Sequence, residues 1–258
     1  MSRMAREKSE SGIYHIILRG ANRQQIFHQD EDSQRFMQIL EKYSKGFELR
    51  VYSWCLMSNH IHLLLREGNE ELSVTMKRIG VSFAWYYNWK YRTNGHLFQD
   101  RFRSEKIDSE QYLLAVIRYI HQNPVKAGMV ERVEDWKWSS CQEYYAKRPN
   151  RFGLLDRDFV LDIFSLDDKQ TALAKFKEYN QAESNDQCLD DYPRVRLTDE
   201  EATEKIIELI GVNKLAQLKS LPKLERNEVL REAKGIKGIT QRQAARILGV
   251  SESLVFKA

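Results

Sequence analysis

Ser58-Asn-His-Ile-His-Leu-Leu-Leu65 is the stretch that decides the fold. It follows Phe47 to Leu56, a run rich in β-formers, across the turn residues Met57-Ser-Asn59, so the two runs are predicted to form a hairpin. Side chains alternate along a strand, which puts His60 and His62 on one face and Ile61, Leu63 and Leu65 on the other. One face is therefore a core face. The other holds two imidazoles about 7 Å apart along one pleat. Such a pair can converge on a single cation, because neutral imidazole is the commonest metal ligand. A harmless pair on a solvated face is an equally good reading of an isolated His-x-His.

Upstream, Ile13-Tyr-His-Ile-Ile-Leu-Arg19 has strand composition, and Gly20 and Asn22 supply turn chemistry. Between 30 and 43, Phe36, Ile39, Leu40 and Tyr43 fall at helical spacing, with Gly46 read as the stop. Downstream, residues 70–91 predict a long amphipathic helix, 97–107 a strand and 108–123 a further helix. The order β-α-β-β-α-β-α, with a hairpin in the middle, predicts an α+β fold: an antiparallel sheet with packed helices. Trp136, Trp138 and Tyr144-Tyr145 are expected to finish that core. The reading divides the chain into 1–148, a connector over 149–195 with 182–187 its most linker-like part, and a helical domain over 196–258.

Composition sets bounds. The 258 residues are 42% hydrophobic and 30% charged, as in an ordinary globular chain. No apolar run approaches the ~20 residues needed to span a bilayer. No secretory signal pattern opens the sequence, so a cytoplasmic protein without membrane contact is expected. Three scattered cysteines, Cys55, Cys141 and Cys188, argue against a disulfide framework and a thiolate zinc site. The net charge runs from +5 over residues 1–150 through −5 over 151–219 to +4 over 220–258. Two basic blocks could each meet phosphates, although solvated faces explain the same pattern.

The second chemical signal is Ser109-Glu-Gln-Tyr-Leu-Leu-Ala-Val-Ile-Arg-Tyr-Ile-His-Gln-Asn123. Asp108 and Gln111 have capping-box spacing, and Pro124 is read as the helix end. Leu113, Leu114, Ile117 and Ile120 form the core stripe. Tyr119 and Asn123 lie one turn apart on one flank, which presents a phenol and an amide oxygen together. Tyr112 is the rival nucleophile, but Val116 stands where a polar partner would be needed.

Together these features resemble the HUH single-strand endonucleases, and within them the one-tyrosine transposases. Arg19-Gly-Ala-Asn-Arg-Gln-Gln-Ile-Phe27, Met57-Ser-Asn-His-Ile-His-Leu-Leu64, Gln99-Asp-Arg-Phe-Arg-Ser104 and Arg118-Tyr-Ile-His-Gln-Asn-Pro-Val125 are similar to motifs of the REP-associated tyrosine transposases. The resemblance implies a ferredoxin-like sheet of the HUH type. It implies His60 and His62 as a metal pair with Asn123 as third ligand, Mg²⁺ or Mn²⁺ as cofactor, and Tyr119 as nucleophile. Some relatives carry Gln at the Asn123 position. The implied activity is nicking and rejoining of single-stranded or hairpin DNA through a 5′-phosphotyrosine, by a monomer or a homodimer. Arg19, Arg23, Arg101, Arg103 and Arg118 are the candidates for holding phosphates. Trp85, Tyr86, Trp89 and Tyr91 are candidates for stacking on bases, against a plain core role. His15, on the first strand, is a further candidate for a place near the metal, with a site elsewhere the commoner reading.

At the C-terminus, Ile239 to Val255 resembles a helix-turn-helix. Thr240 caps its first helix with Gln243 at the capping-box position, Gly249 turns and Ser251 caps the second. Gln243 and Ser251 are the DNA-contact candidates there. A DNA-binding regulator without catalysis is the competing function, and a small packing domain the bland one.

Overall fold

The computed structural model describes residues 7–145, 152–184, 186, 188–189, 197–211, 218–236 and 238–258. Its first compact unit runs to Asp190 and its second from Asp191 to Ala258.

In the first unit, β1 (Ile13–Arg19), β2 (Arg50–Leu56), β3 (His60–Arg66) and β4 (Arg103–Ile107) form one antiparallel sheet in the order β2-β3-β1-β4. Helix α1 (Asp30–Phe47) lies between β1 and β2, and α2 (Leu72–Tyr91) between β3 and β4. That order is the ferredoxin-like α+β arrangement expected from the sequence. Ile61, Leu63 and Leu65 are fully buried, as the alternation predicts. Replacing Leu63 by Ala is expected to cost about 2–5 kcal/mol, because the surrounding core collapses only partly into the space left.

Helices α1 and α2 meet through Phe36 and Phe83 (ring centroids 5.4 Å apart) and through a buried carboxylate. Asp32 accepts from Tyr86, Lys90 and Tyr91 of α2 and from the backbone N–H groups of His28 and Gln29. Burial alone would raise its pKa, but these donors outweigh it and hold the carboxyl near 2. Tyr86 and Tyr91 are thus tied to this fold contact. Trp85 and Trp89 stand 67% and 69% exposed, the two aromatics of that group left open to a ligand.

Helix α3 (Glu110–Lys126) packs on the sheet face that carries the histidines. Its details correct two expectations. Ser109, not Asp108, caps it, accepting from the Tyr112 N–H. Pro124 lies inside the helix rather than ending it. In the last turn only its own missing N–H is lost, and Ala127 and Met129 close the end by donating to the carbonyls of Asn123 and Pro124. Likewise α1 runs past Gly46, and Glu48 takes the left-handed cap at φ 57°.

The expected connector is largely core. After α4 (Cys141–Tyr145), α5 (Arg157–Asp162) and α6 (Lys169–Gln181) fold back. Leu155, Val160, Ala172 and Phe176 join the sheet's own cluster, and Phe176 stacks on Tyr144 at 4.5 Å. These helices are short and separated by acidic turns, so their apolar positions look sparse in sequence. Residues 149–151, 185, 187 and 190–195 of that range lie outside the described residues.

The second unit holds α7 (Asp199–Ile210), α8 (Lys223–Gly235), α9 (Gln241–Ile247) and α10 (Glu252–Lys257) around Ile206, Leu230, Ala244 and Val255. Thr240 and Ser251 cap α9 and α10 as expected, and Gly249 turns between them at φ 63°.

Candidate active site

Strand register assembles the site. Across β1 and β3, Arg19 pairs with His60 and Ile17 with His62, and across β1 and β4 His15 pairs with Glu105. The period of two puts His15, His60, His62, Arg19, Arg103 and Glu105 on one face. His62 is fully buried and His60 half-buried, with their ring centroids 5.0 Å apart. Helix α3 then lays Tyr119 edge-on against His62 (5.8 Å between centroids) and His15 (5.9 Å). Lys126, two turns further along the helix, holds its ammonium 5.3 Å from the centre of the Tyr119 ring.

Hydrogen bonds fix the imidazoles. His60 Nδ1 lies 2.7 Å from Asn59 Oδ1, and Asn59 Nδ2 donates to the Arg23 carbonyl at 3.2 Å. His62 Nδ1 lies 3.0 Å from His15 Nε2, and His15 Nδ1 is 3.8 Å from the Glu105 carboxylate. Burial pushes the His62 pKa well below the usual imidazole range, and neighbouring His15, His60 and Arg19 push the same way. The ring is therefore neutral near pH 7, the form that can donate a lone pair.

The donor set fits a divalent cation. Among the described residues no group of three His, Cys, Asp or Glu side chains could hold a metal. A cation here would draw on the two imidazoles and on the Asn123 amide, one turn beyond Tyr119. Among the described residues the buried Asn123 Nδ2 has no hydrogen-bond partner. Two nitrogens and one oxygen leave coordination positions for phosphate and water, unlike a closed structural zinc site.

Tyr112 is otherwise engaged. Burial and its hydrogen bond to Glu105 raise its pKa, which opposes phenolate formation. Glu105 also accepts from the Leu189 N–H at 2.8 Å. Among the arginines, Arg19 and Arg103 share the histidine face, and Arg23 and Arg101 are exposed beside it. Arg118 departs from its expected phosphate role: it is paired to Asp186 by two bonds of 2.8 and 2.9 Å and stacks on Tyr179 at 4.1 Å. Gln243 departs too. It is buried and donates to the Leu197 carbonyl and Asp199, so its amide faces the interior of the second unit. Ser251 spends its hydroxyl as a cap on the Leu254 N–H. Sequence reading missed Asn59 and Glu105. The parity of Glu105 with Arg103 was a visible signal, but its partner is set by cross-strand pairing.

Residues 8–123 match the family model described as Transposase IS200 like. A REP-associated tyrosine transposase of Escherichia coli (strain K12) is 26% identical over 166 residues, covering 63% of this chain and 93% of that protein. A Haemophilus influenzae protein assigned to the same group is 26% identical over 152 residues, 54% of this chain and 85% of its own. A solved REP-associated tyrosine transposase bound to a REP hairpin aligns with TM-score 0.49 and 23% identity, covering 61% of this chain and 90% of that one. The described residues contain no helix long and apolar enough to cross a membrane. The segment that carries His60, His62 and Tyr119 is thus similar to IS200-like transposases and to relatives described as REP-associated tyrosine transposases.

Proposed function

We propose that this protein nicks and rejoins structured single-stranded DNA, with Tyr119 as nucleophile and a Mg²⁺ or Mn²⁺ site formed by His60, His62 and Asn123. The observation that carries the reading is the Tyr119 ring seated against His62 from within the same unit. That the substrate is DNA follows from the likeness to relatives described as REP-associated tyrosine transposases.

The phenol oxygen of Tyr119 forms a bond to phosphorus as the bond from phosphorus to the 3′ oxygen breaks. The phenol proton departs, and the 3′ oxygen ends as a hydroxyl. The product is a 5′-phosphotyrosine, which keeps the energy of the broken diester. Attack by a 3′ hydroxyl reverses the step and rejoins a strand without ATP. A free phenol has a pKa near 10 and is a weak nucleophile, so its deprotonation must be helped. Lys126 holds its ammonium over the Tyr119 ring, a cation beside the reacting phenol. Arg19 and Arg103 share the histidine face and offer cations to the phosphates. When bound, the metal would polarise the scissile phosphate and neutralise its non-bridging oxygens.

Incubating the full chain with a labelled hairpin oligonucleotide and Mn²⁺ tests this. A denaturation-resistant protein–DNA adduct is expected, lost with EDTA and lost in Tyr119→Phe. An adduct that persists in Tyr119→Phe contradicts the assignment of the nucleophile. Strand cleavage with no adduct at any time contradicts the transesterification route.

A further inference from the structure

We infer that Asn59 on one side, and His15 with Glu105 on the other, are positioning residues that lock His60 and His62 in the Nδ1–H tautomer, so that both Nε2 lone pairs are presented to the cation. The inference rests on the metal reading above for its purpose, but not for its geometry.

A neutral imidazole has one N–H and one lone pair, and its partner decides which nitrogen carries which. For His60 the partner is an amide oxygen, 2.7 Å from Nδ1. That amide cannot turn round freely, because its Nδ2 donates to the Arg23 carbonyl. An amide oxygen only accepts. His60 Nδ1 must therefore carry the proton, and Nε2 the lone pair.

For His62 the partner is another imidazole, which by itself leaves the direction open. The far end of the chain closes it. His15 Nδ1 faces the Glu105 carboxylate at 3.8 Å, too long for a full hydrogen bond but close enough for the charge to orient a proton. The carboxylate is itself held, accepting from the Leu189 N–H at 2.8 Å and from Tyr112. It can only accept, so the His15 proton belongs on Nδ1 and its Nε2 is left to accept. The proton between the two rings then sits on His62 Nδ1, 3.0 Å away. His62 Nε2 is again the nitrogen with the lone pair.

Both chains end on a group that cannot donate toward the ring, so one proton arrangement suits the three hydrogen bonds and the charge contact between His15 Nδ1 and Glu105. Partners of this kind fix ring orientation and raise ligand basicity, and losing one typically costs about 10–100-fold in metal affinity. His15 is on this account no ligand: its Nε2 is already spent on His62. The second chain also reaches Leu189, well outside residues 8–123 that match the transposase family. The segment after α6 thereby joins the site's supporting shell.

Two readouts on the full-length protein test this. Long-range ¹H–¹⁵N spectra of metal-free protein near pH 7.5 are expected to show His60 and His62 as Nδ1–H tautomers, with the His62 proton redistributing toward Nε2 in Glu105→Ala. Titration with MnCl₂ is expected to show affinity falling roughly 10–100-fold in His15→Phe and in Asn59→Ala. Asn59→Asp, which keeps the acceptor, is expected to restore it. Thermal melts show whether each variant remains folded. An Nε2–H tautomer at His62 in the wild type overturns the inference. So does an unchanged Mn²⁺ affinity in folded His15→Phe when the wild type binds. A wild type that binds no Mn²⁺ while both tautomers stand as expected counts against the metal site and leaves the tautomer lock intact.

Discussion

His121 and His62 are both fully buried at the helix that carries Tyr119, and they have opposite characters. His121, on α3 itself, is bonded at both nitrogens: Nδ1 to Asn180 at 3.0 Å, and Nε2 to Ser140 at 2.8 Å and Ser53 at 3.2 Å. Ser140, His121 and Asn180 have the order of a hydrolase triad. All three are fully buried. The cluster is a staple that joins β2, α3 and α6. His62, by contrast, leads outward: its neighbour His60 is half-buried, and Tyr119 lies across it. A constellation of catalytic residue types becomes a site only when one atom remains both unspent and reachable. The Ser–His–Asn group spends every nitrogen internally.

Tyr119→Phe gives the largest expected effect that separates the two regions. Adduct formation should fall by more than about 10³-fold, since the nucleophile is gone, while the melting temperature barely moves. A comparable loss of folding stability would mean the hydroxyl serves the core instead.

His121→Ala is the mirror experiment. It leaves Ser140, Ser53 and Asn180 without their shared partner and opens space in the core, so urea unfolding should show a loss of roughly 2–4 kcal/mol. Adduct yield per folded molecule should remain. If activity vanished with stability intact, the staple would have to be counted part of the chemistry.

The pH dependence of stability comes next. Burial lowers the His121 pKa from the ordinary 6.5 to about 4 in the folded protein. The unfolded chain then binds the proton first. The stability contributed by the neutral ring is complete above about pH 6.5 and drains away as pH falls toward 4, by roughly 3 kcal/mol. His62 is lowered as well and loses stability in the same direction. Urea melts between pH 7.5 and 4.5 should therefore be shallower in His121→Gln than in the wild type. Identical slopes would mean that His121 does not titrate in this window.

The smallest effect is expected in the other unit. Gln243→Ala removes bonds to Leu197 and Asp199 and should cost that unit about 1–2 kcal/mol, with no change in adduct yield. A selective loss of DNA binding at unchanged stability would return Gln243 to a contact role.

What could be read in the sequence was what neighbours in the chain decide. The alternation of His60-Ile-His62 fixed which face carries imidazoles, and the interval from Tyr119 to Asn123 fixed their shared flank. Partners far along the chain were not legible. Arg118 finds Asp186 from 68 residues away, inside a stretch whose composition suggested a linker. Glu105 reaches His15 only through the β1–β4 register. Gln243 had capping-box spacing, yet its amide went to the Leu197 carbonyl, which local pattern does not contain. Helices α5 and α6 were hidden for a related reason: their apolar faces are short and make sense only against Tyr144 and the sheet.

The central claim is that Tyr119, not Tyr112, becomes joined to DNA. Arg118 makes the distinction convenient, because trypsin cuts between the two tyrosines and leaves Tyr119 at the head of the peptide ending at Lys126. The covalent adduct of the wild type with a hairpin oligonucleotide, digested with trypsin and nuclease, should carry its nucleotide mass on residues 119–126. A nucleotide on the peptide containing Tyr112, or on any peptide lacking Tyr119, would contradict the account.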